Sequence, residues 1–227
     1  MKIADISVEY IQHAGSDLMV ANAARVSFDK ESDWEWDEEF LEFMEGVLKP
    51  SDAKLLKYLA NHKHFSPFNH SFLTLRIKAP ICVARQLVKH RFMPWNEVSR
   101  RYVDDEPEFY SPSLRVRASN VKQGSGEDIS TYELTKWYDG QNVVDLAVAE
   151  YNNMLVAGVA PEVARAYLPQ SMMTEWIWSG TLGAYCDMLR LRLDPHTQAE
   201  SRIVAEKVKE IITPLFPVSV PALLEIK

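Results

Sequence analysis

A single proline divides two hydrophobic periods near the middle of the chain. Before Pro80, Leu73, Leu75 and Ile77 alternate with Thr74, Arg76 and Lys78. A period of two marks a strand with one buried face. After Pro80, the segment ICVARQLVKHR places Ile81, Ala84 and Val88 on one side at helical spacing, and Gln86, Lys89 and His90 on another. Pro80 ends the strand and also serves the helix start, where its missing N–H is not needed. The chain must therefore fold with both sheet and helix.

The remaining pattern agrees. Residues 3–11 alternate loosely and predict a strand. Residues 29–45 are acidic and carry Trp34, Trp36, Phe40 and Phe43, an amphipathic segment with a solvated face. Ser51 reads as the N-cap of a helix to about Asn61, with Leu55, Leu56 and Leu59 on one side. Residues 111–130, with Gly124 and Gly126, read as a mobile loop. Helical periodicity runs over 133–157 with an interruption near Gly140, and Pro161 opens a further helix, PEVARAYL. Residues 170–179 are aromatic and β-branched and fit neither period. Helices are expected over 181–193 and, opened by Pro195, over 195–213, and Pro214, Pro217 and Pro221 predict an extended tail. Strands early and helices late predict an α+β fold.

Charge narrows the function. The 227 residues hold 25 Lys+Arg and 32 Asp+Glu, a net charge of −7. Such a chain is no general polyanion binder, and no nucleic-acid partner is expected. Cys82 and Cys186, the two cysteines, are far apart and form no disulfide framework, which suits a reducing cytosol. Asp5 and Glu9 interrupt the N-terminus where a signal peptide would be apolar, and no apolar run approaches the ~18 residues of a membrane span. A cytoplasmic chain without a membrane partner is expected.

Against this acidic background, Arg85, Lys89, His90, Arg91, Arg100 and Arg101 crowd into one stretch with Glu97 as its one acid. Like charges so close need compensation, from acids elsewhere, from a partner subunit or from a bound anion. A small phosphate-bearing molecule fits the acidic whole better than a nucleic acid. Other chemistry finds little support. His62, His64 and His70 lack further ligands at metal-binding spacing, and His62 and His64 flank Lys63 as at a helix end. His196 and Glu200 are one turn apart without an HExxH pattern, and Ser99 has no evident base. GxGxxG, GxxxxGK[ST] and GxSxG are all absent. No metal is expected.

The string KHRFMPWNEVSRRY, Lys89 to Tyr102, resembles the signature of the flavin-dependent thymidylate synthases, Arg-His-Arg, seven residues, Ser. Here His90, Arg91 and Ser99 match and Lys89 replaces the first arginine. AARVSF (Ala23 to Phe28), HFSPFNHSFLTLRIKAPICVARQLVKHR, PEVARAYLP (Pro161 to Pro169) and LRLDPHTQAE (Leu191 to Glu200) resemble further blocks of that family, in the same order.

The resemblance implies one α+β domain over residues 1–227, with a central mixed or antiparallel sheet and flanking helices. It implies a methyltransferase that converts dUMP to dTMP, with carbon from 5,10-methylenetetrahydrofolate and reducing equivalents from NADPH through FAD. It implies a homotetramer with shared active sites. Arg192 would be catalytic, a fixed guanidinium favouring the N3 anion of the pyrimidine. Gln86, Lys89, Glu97, Ser99, Arg100, Arg101, Arg165 and Arg192 would hold dUMP. Ser66, Lys89, His90, Arg91, Glu97, Thr181, Asp187 and His196 would hold FAD. Thr181, Gly183 and Asp187 depart from the Asn, Arg and Asn that many members carry, and Asn69 stands where an acid is common. Asp187 would either repel a pyrophosphate or accept from a ribose hydroxyl. Two rivals remain at this point: a nucleotide- or folate-binding regulator that has lost catalysis through these changes, and a metal-dependent nucleotide hydrolase using His62, His64 and His70.

Overall fold

The computed structural model describes residues 2–35, 46–103, 105–119, 124–129 and 140–226. Its centre is a four-stranded antiparallel sheet in the order β2 (Ser7–Ala14), β3 (Phe72–Pro80), β8 (Met173–Thr181), β4 (Trp95–Glu97). The predicted strand before Pro80 is β3. It pairs with β8 without a break, from Phe72 opposite Thr181 to Pro80 opposite Met173. Leu73, Leu75, Ile77 and Ala79 are fully buried beneath the sheet, each large side chain worth about 1.5–3 kcal/mol of burial.

Residues 170–179, unreadable from sequence, supply β8. Thr174, Trp176, Trp178 and Gly180 alternate inward. Trp95 of β4 stacks on Trp176 at 4.2 Å, and Trp178 meets Tyr185 edge-on at 5.7 Å. The first predicted strand is two. β1 (Lys2–Ile3) pairs in parallel with β5 (Glu108–Phe109), and β2 then joins the main sheet.

Helices cover the inner face. α3 (Ile81–Leu87) leaves β3 at once, with Pro80 as its N-cap. It is shorter than the periodicity suggested, and Phe92 just beyond it has φ +61°. α6 (Leu182–Arg192) buries Leu182, Tyr185, Met188 and Leu189, and α7 (Ala199–Leu215) buries Val204, Ala205, Val208 and Ile212. These residues share one core cluster with β3 and β8.

Several boundaries differ from expectation. Pro50, not Ser51, opens α2 (Pro50–Asn61), with Lys49 as N-cap. His62 is the C-cap of that helix, and its Nδ1 meets the Tyr58 carbonyl at 2.8 Å. Pro195 opens no helix, since Asp194 and His196 form a turn and α7 begins at Ala199. The proline-rich tail is not extended. Pro214 lies in the last turn of α7, and α8 (Ser219–Leu224) follows. Pro221 costs no bond there because first-turn N–H groups have no helical partner. Asp17, at the start of α1 (Asp17–Arg25), accepts from the backbone N–H of Val218 (2.7 Å) and Ser219 (3.0 Å) and so caps α8 from across the molecule.

The expected loop over 111–130 contains a hairpin, β6 (Arg115–Arg117) with β7 (Ser125–Asp128). The segment before Gly140 lies outside the described residues, and Gly140–Val156 forms α4. PEVARAYL gives α5 (Pro161–Ala164) and a 3-10 turn, Arg165–Tyr167. Of the acidic segment, Trp36, Phe40 and Phe43 lie outside the described residues. No helix among the described residues is long and apolar enough to cross a membrane.

Candidate active site

The strand-to-helix junction at Pro80 sets α3 along one cavity, and a second opens just past the end of the helix. Ile81, Ala84, Arg85 and Val88 line one, while Lys89, His90 and Arg91, just past its end, line the other. The cationic stretch is thereby divided between two cavities.

The first cavity encloses about 800 Å³. Glu97, Arg100 and Arg165 line it together with Arg85, Lys78 and Thr174. The Glu97 carboxylate is held from both sides, by the Thr174 hydroxyl at 2.7 Å and Trp95 Nε1 at 3.1 Å. Arg100 pairs with Asp105 at 3.6 Å. Lys2 and Lys78 converge on Glu108, and their hydrogen bonds hold its carboxyl below the usual range.

The second cavity encloses about 720 Å³ and takes in Phe65, Asn69, Lys89, His90, Arg91, Phe92, Thr181, Gly183, Ala184 and Asp187. The four departures noted in the sequence, Asn69, Thr181, Gly183 and Asp187, fall together here. They fit one another. The Thr181 hydroxyl accepts from Ala184 N as the N-cap of α6 and donates to Asn69 Oδ1 at 2.8 Å. A Cβ at Gly183 would stand 2.5 Å from that same Asn69 oxygen, so no side chain fits at 183 while Asn69 holds this position. Asp187 is ion-paired with Arg190, whose guanidinium lies 5.7 Å from the Phe65 ring centre. Its charge is compensated within the chain.

Arg192 ends α6 half-buried against α3. Its Nε donates to His90 Nε2 at 3.0 Å and its Nη2 to the Gln86 carbonyl at 2.8 Å. Burial, and then the Arg192 charge, push the His90 pKa down to about 4. The imidazole is therefore neutral at pH 7, and because Nε2 accepts, its proton resides on Nδ1. Burial also lowers the Arg192 pKa, yet a guanidinium keeps its charge in proteins.

Not every expected site residue reaches a cavity. Ser99 and Arg101 bond to each other, Arg101 Nε donating to Ser99 Oγ at 3.2 Å, and line neither cavity. Ser66 is exposed and begins a 3-10 turn whose Pro67 and Phe68 are buried. The exposed His196 ring turns to Asp194 at 3.0 Å, and hydrogen bonds from the His196 backbone and ring hold that aspartate below its ordinary range.

The profile of a family described as thymidylate synthase complementing protein matches residues 9–218. A flavin-dependent thymidylate synthase of Ehrlichia ruminantium is 34% identical over 229 residues, covering 96% of this chain and 70% of its own length. The chain belongs to the flavin-dependent thymidylate synthase family. A family relative from Thermotoga neapolitana is 36% identical, covering 90% of this chain and 84% of its own. A UMP/dUMP methylase from Streptomyces cacaoi, solved with 5-Br dUMP, shares the fold with a TM-score of 0.83 and 29% identity over 100% of this chain and 98% of its own.

Beside the residues that the family signature points to, the fold adds others. Trp95 and Thr174 fix Glu97 from two strands, and Phe65 and Phe92 give the second cavity aromatic faces, Phe92 being 85% exposed. Gln198 and Ser201 grip the Gln86 side chain. In sequence, Gln198 stood inside LRLDPHTQAE without a role of its own.

Proposed function

We propose that this chain is a FAD-dependent thymidylate synthase that methylates dUMP to dTMP, with 5,10-methylenetetrahydrofolate as carbon donor and NADPH as reductant. The observation that carries this is that one cationic segment lines two cavities, with Arg192 bonded to His90 of the second and to the Gln86 carbonyl of α3.

The second cavity suits a flavin. It offers Phe65 and the exposed Phe92 for a planar ring and Lys89 and Arg91 for a pyrophosphate. Ser66, Thr181, Asp187 and His196 complete the proposed flavin set, with Glu97 at its edge. When bound and reduced, the flavin supplies the hydride chemistry. Gln86, Lys89, Glu97, Ser99, Arg100, Arg101 and Arg165 bind and orient dUMP. Arg192 acts on the pyrimidine, where a guanidinium already fixed by His90 and Gln86 needs no reorganisation to stabilise an anion at N3. Glu97, locked by Thr174 and Trp95, keeps one orientation toward its ligand.

The reading includes a homotetramer with shared active sites, one synthase domain over 1–227, and a cytoplasmic location. Support for assembly comes from Ser99 and Arg101, which line neither of these two cavities, and from Phe28 and Tyr102, 76% and 78% exposed. The decisive assay is tritium release from dUMP labelled at C5, with FAD, NADPH and methylenetetrahydrofolate present. Release that requires all three, from a yellow protein of tetrameric mass, is expected. Folded tetramer that binds dUMP but neither releases tritium nor oxidises NADPH would identify a non-catalytic regulator instead.

A further inference from the structure

Gln86 lines neither cavity, and its side chain begins a line of polar groups that neither cavity uses. Gln86 Nε2 donates to Gln198 Oε1 at 2.6 Å, and Gln86 Oε1 accepts from Ser201 Oγ at 3.1 Å. Gln198 Nε2 donates to Glu200 Oε2 at 2.9 Å, and the other oxygen of Glu200 takes Arg115 from the β6–β7 hairpin. Arg115 Nε is itself held by Ser125 Oγ at 2.8 Å. Glu200 is 2% exposed.

The order of donors along this line is forced from one end. A guanidinium only donates and an ionised carboxylate only accepts, whereas a glutamine amide can present either end. Burial alone would raise the Glu200 pKa, but hydrogen bonds from Arg115 and Gln198 outweigh it and leave the carboxyl below its ordinary value. Charged Glu200 obliges Gln198 to turn its nitrogen inward and its oxygen toward Gln86. Gln86 must then direct its nitrogen to Gln198 and its oxygen to Ser201. Without the carboxylate, only a long bond of 3.4 Å from Gln86 Nε2 to the Cys82 carbonyl favours this orientation over its reverse.

We propose that Gln198 and Glu200, with Arg115, are positioning residues that fix which end of the Gln86 amide faces the nucleotide base. The proposal rests on the reading that Gln86 contacts dUMP. It ties the substrate side of α3 to the β6–β7 hairpin, since Arg115 anchors the line from that hairpin.

The test is dUMP affinity of the flavin-loaded protein, measured by equilibrium dialysis, with the steady-state KM beside it. Glu200→Gln keeps the shape but lets its own amide donate to Gln198, so both glutamines can reverse. Its dissociation constant for dUMP should rise on the order of tenfold, the loss expected from a mispresented buried hydrogen-bonding group. KM should rise more than kcat falls, and the flavin content should match the parent. Glu200→Asp keeps the charge and should recover most of the affinity. Gln198→Leu, at a half-buried position, interrupts the line, removing one donor to Glu200 but leaving its bond from Arg115, and should show the same loss if Glu200→Gln does not fold. Parental dUMP affinity in both Glu200→Gln and Gln198→Leu overturns the proposal. Gln86→Ala separates the two possible failures. If it binds dUMP weakly while the other two bind normally, the positioning line is refuted alone; if it also binds normally, Gln86 makes no base contact and the proposal falls with that reading.

Discussion

Arg192 and His90, 102 positions apart, meet through a hydrogen bond of 3.0 Å in which the guanidinium donates and the imidazole accepts. The bond requires a neutral histidine, and burial with the nearby cation keeps it so down to about pH 4. A histidine whose folded pKa lies below its unfolded value costs stability as pH falls, because the unfolded chain binds the proton first. The loss should develop between about pH 6.5 and pH 4 and level off below. For a half-buried ring we expect on the order of 1–2 kcal/mol. Thermal melts at pH 7 and pH 4.5 should show a larger drop for the parent than for His90→Asn. Equal drops would contradict the assignment.

Arg192→Ala should reduce turnover by about a hundredfold to a thousandfold or more, the cost of removing a preorganised charge donor. The purified variant should keep most of its flavin absorbance, because Arg192 lines neither cavity. Colourless protein with near-normal dTMP synthesis would reverse the roles assigned here.

The Asp187–Arg190 pair predicts opposite effects from its two members. Arg190→Ala leaves an uncompensated carboxylate on the wall of the second cavity and should weaken flavin retention several-fold. Asp187→Asn removes that charge and should retain flavin as well as the parent or better. Flavin release on dilution, followed by absorbance, distinguishes them, and equal behaviour would show that this wall does not meet the cofactor.

Asp17→Ala should destabilise the fold by about 1–3 kcal/mol, since two backbone N–H groups at the start of α8 lose their acceptor. Asp17→Asn, which keeps one oxygen, should lose less. Chemical denaturation midpoints measure both, and an unchanged midpoint in the alanine variant would mean α8 holds without its cap.

Legibility followed physical locality. β3, Pro80 and α3 could be read because two periods meet at a residue with only one set of uses there. β8 could not, because its inward positions are Thr174, Trp176, Trp178 and Gly180. A hydroxyl and a glycine on the buried face disguise the alternation. The tail misled because proline was taken as a helix breaker, whereas Pro221 occupies a first turn that tolerates it. At the site, Lys89, His90, Arg91 and Glu97 were reachable from one contiguous signature. The grip of Gln198 and Ser201 on Gln86 joins positions 112 and 115 apart, and no local pattern announces such a pair. The mutual fit of Asn69, Thr181 and Gly183 was hidden for the same reason: each looked like an isolated departure until one wall united them.

Ile81, Ala84 and Arg85 of α3 line the first cavity, and the second begins at Lys89, two residues past the end of that helix. Lengthening that helix to suit a guest in the first would displace Lys89, His90 and Arg91 from the second. Redesign of the first cavity's preference must therefore proceed by exchanging side chains, leaving the helix backbone where Pro80 sets it.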